Sequence, residues 1–247
     1  MAIENLTFCW SGFVTNDIDK TFAFFPKVLG WGTQEVDMGG ATMKMFTKNG
    51  AAIGHLRAPQ MEGEPSWWNN YLRVEDLDAA TASVAANGGS IVVPPTKVPP
   101  GQFSTVTTAS GAYMTLFRES AEDDNGAPAD AVTWVDLHSK NLAADLKFLK
   151  AAFGFETSEM TMPTGPYHIL NPESATRAGA MQGQHAEAPS MWMAWANVDS
   201  VDDTLARVAS SGGNVIASGW DVPGVGRMAI AQDPAGIVFG VMTPAQA

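Results

Sequence analysis

Cysteine is almost absent from these 247 residues, with Cys9 standing alone. One thiol excludes an intramolecular disulfide framework and any cysteine-based zinc site. Its neighbours Phe8 and Trp10 mark it as a small buried hydrophobe and not a nucleophile. Basic residues are also scarce, 14 Lys and Arg against 26 Asp and Glu, for a formal charge of −12. Such a surface repels phosphate backbones and anionic headgroups, so neither nucleic acid nor membrane is expected as a partner. No apolar run approaches the ~18 residues of a membrane span. The opening MAIENLTFCW lacks a basic region followed by an apolar one, so no signal peptide is expected and a cytoplasmic location is the default. Without a secretion signal the sequon Asn5-Leu6-Thr7 is read as chance. No G-x-S-x-G elbow exists for serine hydrolysis, and the glycine-rich stretch from Gly224 to Ala229 enters a strand, which makes it a turn and not a dinucleotide fingerprint.

What is present is a globular composition, 45% apolar and 16% charged, and a repeat. Offset by 124 residues, Trp10 falls on Trp134, Asp17 on Asn141, Phe24 on Phe148 and Gly30 on Gly154. Further on, Trp68 meets Trp192, Tyr71 meets Trp195, and Gly88-Gly89 meets Gly212-Gly213. After one added residue Gly111 meets Gly236. A period held over this span indicates tandem duplication. The expected division is residues 1–118 and 131–247, with the polar, acidic segment 119–130 as linker.

Each half divides again at an offset near 59. Short strands at Phe8–Thr15 and Trp68–Glu75 each precede a helix opening on acidic residues, Asp17 and Asp19 or Asp76 and Asp78, which suit the positive end of a helix dipole. The first helix sets Phe22, Phe25, Val28 and Leu29 at helical spacing and stops at Gly30; the second stops at Gly88-Gly89. Three strands follow each helix, in the last unit near Asn214–Ala217, Arg227–Gln232 and Ile237–Met242. The expected fold is α+β: four βαβββ units paired into two tandem domains, each a cupped mixed sheet with helices outside.

That unit, carried by Trp134–Gly154 (WVDLHSKNLAADLKFLKAAFG), Asp199–Asp202 and Val222–Gly240 (VPGVGRMAIAQDPAGIVFG), resembles the vicinal oxygen chelate superfamily. This superfamily holds glyoxalases, bleomycin-resistance proteins and extradiol dioxygenases, and the similarity runs from about Phe8 to Met242. It is nearest to a two-domain glyoxalase-like or hydroxylase-like branch. In catalytic members the resemblance implies a divalent metal held by four strand positions in each cup. Here those positions are Trp10, Gly54, Asn69 and Thr115 in the first half, and Trp134, Gly179, Met193 and Gly240 in the second, with Gly54 and Gly179 assigned to within one residue. A catalytic divalent metal needs imidazole or carboxylate donors. Indole, glycine and thioether supply none, so no metal and no other cofactor is expected.

Residues two apart on a strand share a face. The first cavity is therefore expected to take Trp10, Asn69, Tyr71 and Arg73, a wall suited to a planar ligand with an acidic or carbonyl group. Arg73 has a second reading, as a strand-end cation paired with an exposed acid. The second cavity is expected to take Trp134, Asp136, His138, Met193 and Trp195, with His168 reaching it from the PYHIL stretch. Asp136 and His138 form a candidate acid–base pair, since a carboxylate orients an imidazole for proton transfer; His138 as a solvated strand end is the bland alternative, and an unconventional metal site of Asp136, His138 and His168 is a third. His55 is expected to face outward and His185 to be solvated. Two functions stay open: a metal-independent protein that binds a small aromatic or apolar molecule, or a glyoxalase-like lyase or hydroxylase-type enzyme. The expected partner is that small molecule. A monomer suffices to form the cups, and a homodimer is equally compatible.

Overall fold

The computed structural model describes residues 6–37, 40, 42–60, 62–99, 101–120, 132–162, 165–171, 173–185 and 187–245. The first quarter is β1 (Phe8–Val14), α1 (Ile18–Leu29), β2 (Gly32–Asp37), β3 (Thr42–Lys48) and β4 (Ala51–Arg57). The second is β5 (Trp67–Arg73), α2 (Leu77–Ala86), β6 (Ser90–Val98), β7 (Gly101–Thr107) and β8 (Tyr113–Glu119). The third is β9 (Trp134–Ser139), α3 (Leu142–Phe153), β10 (Thr157–Met162), β11 (Gly165–Leu170) and β12 (Ala178–Gln182). The fourth is β13 (Met191–Asn197), α4 (Val201–Ser210), β14 (Asn214–Val222), β15 (Gly226–Gln232) and β16 (Val238–Pro244). Four βαβββ units are present, in two mixed eight-stranded sheets ordered β2-β3-β4-β1-β5-β8-β7-β6 and β10-β11-β12-β9-β13-β16-β15-β14. Most of the expected linker lies outside the described residues. No helix among the described residues is long and apolar enough to cross a membrane.

By contacts the chain forms two compact units that interleave the sequence halves. One comprises Met1–Cys9, Asn69–Gly126 and Trp134–Trp192; the other comprises Trp10–Trp68, Ala127–Thr133 and Met193–Ala247. The repeat runs by halves, whereas each compact unit takes one quarter from each half. In the first unit α2 lies beside α3, where Ser83 Oγ donates to the carbonyl of Ala152 at 3.0 Å. In the second α1 lies beside α4, where Arg207 Nε donates to the carbonyl of Val28 at 3.1 Å.

The helices begin where the sequence supplies a cap. Asp17 accepts from the Lys20 amide, Asp76 from Ala79, Asn141 from Ala144 and Ser200 from Asp203. Each cap satisfies an amide that has no partner within the helix. Asp17→Ala should lower stability by about 1 kcal/mol, read as a shift of the urea midpoint at constant slope; no shift would mean that water replaces the cap.

The double glycines in the repeat have separate tasks. Gly88 and Gly212 take positive φ, 96° and 83°. Gly89 and Gly213 permit a close approach: a Cβ there would lie 2.8 Å from the Phe148 ring and 2.8 Å from the Phe24 ring. In each unit the aromatic comes from the other half's helix. The second unit's core is aromatic, with Phe13 against Trp68 at 4.6 Å and Phe25 against Phe239 at 5.2 Å between ring centres.

A buried polar knot ties each unit together. In the first, Asp145 of α3 accepts from the Ser110 amide at 2.9 Å, the Ser110 hydroxyl, and the Ser139 hydroxyl at 2.6 Å. In the second, Asp233 in the β15–β16 turn accepts from the Thr21 hydroxyl at 2.6 Å and from the amides of Ala235 and Ile237. Thr21 in turn bonds Thr15 at 2.8 Å.

Candidate functional site

The alternation of β9 buries Val135 and Leu137 in the core and turns Trp134, Asp136 and His138 to the opposite face. The parallel ladder sets Asp136 beside Gly179 of β12, and the β11–β12 ladder sets Tyr167 against Met181, the next position on that face. Tyr167 then reaches across Gly179. Its hydroxyl donates to Asp136 Oδ1 at 2.5 Å, and Trp134 Nε1 donates to Tyr167 Oη at 2.6 Å and to Asp136 Oδ1 at 2.9 Å. A Cβ on Gly179 would stand 1.9 Å from that hydroxyl and 2.9 Å from Asp136 Oδ1, so only glycine admits the arrangement. Burial, reinforced by the Asp136 charge, holds the phenol well above its ordinary pKa, leaving Tyr167 a fixed proton donor.

His138 shares the face, yet the group bonded to Asp136 Oδ1 from across the sheet is Tyr167, which sequence reasoning missed. His138 Nε2 is buried without a hydrogen-bond partner. Burial lowers the imidazole pKa and the nearby Asp136 charge opposes this only partly. The ring is therefore neutral near pH 7 and holds an unused donor or acceptor. His168 lies on the other face of β11 from Tyr167, 3.8 Å from Glu159 of β10. The strand alternation turns it away from Asp136 and His138, so the three expected to assemble a metal site do not meet. His185 is exposed, as expected.

In the second unit, Met193 and Trp195 face away from Ala194 and Ala196, which belong to the core. Trp195 pairs with Gly240 of β16, and its ring covers that glycine: a Cβ there would stand 2.3 Å from Trp195 Cε3. The β1–β4 ladder corrects the first half. Gly12 pairs with His55, and Trp10 Nε1 donates to His55 Nδ1 at 2.9 Å. The Cβ of an alanine at position 54 would instead meet Phe13 and Ser11, on the core side. His55, and not Gly54, therefore occupies the position beside Trp10, and it does not face outward. Burial, with the charge of Arg57 adding to it, lowers its pKa to about 4.

On β5, Asn69 and Tyr71 are buried. Arg73 is ion-paired with Glu119 at 2.7 Å, the second of its two readings. Cys9 Sγ donates to the Tyr71 carbonyl at 3.5 Å, and burial pushes its thiol up to about 12, as suits a structural side chain.

These residues do not fit a divalent metal. Among the described residues no three His, Cys, Asp or Glu side chains gather closely enough to hold one. The Tyr167 hydroxyl occupies the space over Gly179, and the Trp195 ring occupies that over Gly240. At the one position that carries an imidazole, Trp10 takes the Nδ1 lone pair, so neutral His55 bears its proton on Nε2 and has no lone pair to offer there.

Four βαβββ units in two sheets, with strand positions turned inward from both halves, define a class that sequence comparison identifies. The profile of the Glyoxalase/Bleomycin resistance protein/Dioxygenase superfamily matches residues 8–126 and again 131–241. The chain belongs to this superfamily. It is 32% identical over 247 residues to "Putative glyoxylase CFP32" of Mycobacterium bovis, covering 96% of this chain and 94% of that protein. Over 132 residues it is 33% identical to the anthracycline biosynthesis protein DnrV of Streptomyces peucetius, covering 47% of this chain and 46% of that protein. Among solved structures, the Mn(II)-bound glyoxalase of Novosphingobium aromaticivorans shares the fold with a TM-score of 0.63 at 20% identity, over 98% of this chain and 82% of the other.

Proposed function

We propose that this chain binds a small aromatic or apolar molecule, and that it does so without a divalent metal. The observation that carries this reading is Tyr167 lying over Gly179 and bonded to Asp136 and Trp134, where a metal-binding relative would need a ligand side chain. The faces so formed combine indole and phenol rings with few polar groups, the usual composition of pockets for apolar ligands. Similarity across 47% of the chain to proteins named for anthracycline biosynthesis lends weight to a polycyclic aromatic.

Thermal unfolding tests it, because a ligand selective for the folded state raises the midpoint by mass action. Mn(II), Ni(II), Zn(II) and Fe(II) should leave the midpoint unchanged, and naphthalene or anthraquinone derivatives should raise it. One tightly held metal equivalent per purified chain, by elemental analysis, would overturn the metal-free half of the reading.

A second reading, a glyoxalase-like or hydroxylase-type enzyme, is favoured by His138. A neutral imidazole with an unpartnered Nε2 beside a carboxylate is equipped to move a proton. In that case His138→Gln should abolish turnover and leave ligand binding intact, whereas a purely binding role predicts no turnover in either protein.

A further inference from the structure

From Asn69 onward the half-sheet β5–β8 lies in the first unit and buries Leu72, Met114 and Leu116 on one face. Alternation puts Asn69, Tyr71, Thr115 and Phe117 on the other. Tyr71 pairs with Thr115 across the parallel ladder, and Thr115 with Thr105 across the antiparallel one. Several of the polar groups here have partners. Thr105 and Thr115 bond each other at 3.1 Å, and Arg73 is paired with Glu119. Asn69 is 1% exposed, and its Oδ1 has no hydrogen-bond partner.

A buried amide oxygen without a donor is expensive, and native structures rarely leave one so unless something outside the chain supplies the donor. The other groups on the face are aromatic: Tyr71 and Phe117 meet edge to face at 6.0 Å between ring centres. We infer that this face takes an aromatic ring carrying an O–H or N–H group, a hydroxyarene or aminoarene, which closes its hydrogen bond on Asn69 Oδ1. The inference rests on the reading that the chain binds small aromatic molecules without a metal. It adds that the donor is required, since a site holding a buried acceptor rejects analogues that cannot fill it.

Calorimetric titration of the full chain with 2-naphthol, naphthalene and 2-methoxynaphthalene tests this, the last two bracketing the first in size without a donor. The wild type should bind 2-naphthol at least about tenfold tighter than either. Asn69→Leu should bring the three within about threefold of one another, and Asn69→Asp, which keeps an acceptor of the same shape, should retain the preference. If Asn69→Leu does not fold, the side-chain amide resonances of Asn69 in the labelled wild type should shift with 2-naphthol and not with the ether. Equal wild-type affinities for all three would overturn the inference and leave the aromatic-binding reading standing. Binding of none would overturn both. A preference that survives Asn69→Leu, or an Asn69 amide indifferent to 2-naphthol, would remove Asn69 from the site.

Discussion

Gly179→Ala should destabilise the protein by about 2–4 kcal/mol, far more than a methyl group on a strand ordinarily does. Its Cβ would lie 1.9 Å from Tyr167 Oη, so the phenol must leave. Overpacking of this kind typically costs about 1–3 kcal/mol. Displacing Tyr167 also strips Asp136 of its shortest hydrogen bond while leaving the carboxylate 4% exposed, for about 1–3 kcal/mol more. Relaxation of the strand offsets part of that sum. The two terms are separable by a double-mutant cycle. Tyr167→Phe alone should lose only the hydrogen bonds, and Gly179→Ala should then be much milder in the Tyr167→Phe background, because the atom it strikes is gone. Urea unfolding of the four proteins decides the matter. Strict additivity would mean that Tyr167 does not occupy the space over Gly179.

The second large effect is in acid. His55 has a folded pKa of about 4 against an ordinary 6.5, so the unfolded chain takes up the proton first as the pH falls. Stability from this residue is full above about pH 6.5, declines between 6.5 and 4, and is level below. At 1.36 kcal/mol per pH unit, that difference amounts to about 3 kcal/mol. Protonation at Nδ1 also ejects the Trp10 indole from its acceptor. His138 adds loss of the same sign, since burial lowers its pKa as well. Asp233 acts oppositely: burial raises its folded pKa, so the fold gains from this group as the pH falls through that value towards 3.8. Comparing the wild type with His55→Gln isolates the histidine, because Asp233 and His138 are common to both and glutamine still accepts from Trp10. Denaturant unfolding between pH 7 and pH 4 should show the variant losing about 3 kcal/mol less. Parallel curves would mean that His55 is not buried as a neutral base.

The architecture was legible in the sequence because it is written twice over, in repeat offsets and in caps. Asp17, Asp76 and Asn141 begin helices, and the glycines after each helix turn the chain into the next strand. Strand parity was equally readable: Trp134 and Asp136, two apart, are close enough to bond. What escaped depends on pairings between strands. Tyr167 gave no local sign of its importance, since its reach to Asp136 is set by the β11–β12 and β9–β12 registers. A trace existed in Gly179, a glycine at an inward strand position, which asks what fills its space. His55 was missed by one residue, on a strand whose ladder to β3 carries a register shift between Phe46 and Thr47. The interleaved units were hidden for another reason. A repeat shows which segments are alike and is silent on which of them pack together.

The two buried knots carry a rule about partnership. Asp145 and Thr21 are equivalent positions on their helices, as Asp233 and Thr108 are on their turns, yet the acid sits on the helix in one unit and on the turn in the other. Each knot draws its helix from one sequence half and its turn from the other. Two copies of the first half, folded together in the same way, would set hydroxyls against hydroxyls with no acceptor strong enough to gather them. Two copies of the second would bring a pair of carboxylates into one buried space. Only unlike halves place a single carboxyl group at each junction. At these two junctions each half supplies what the other lacks.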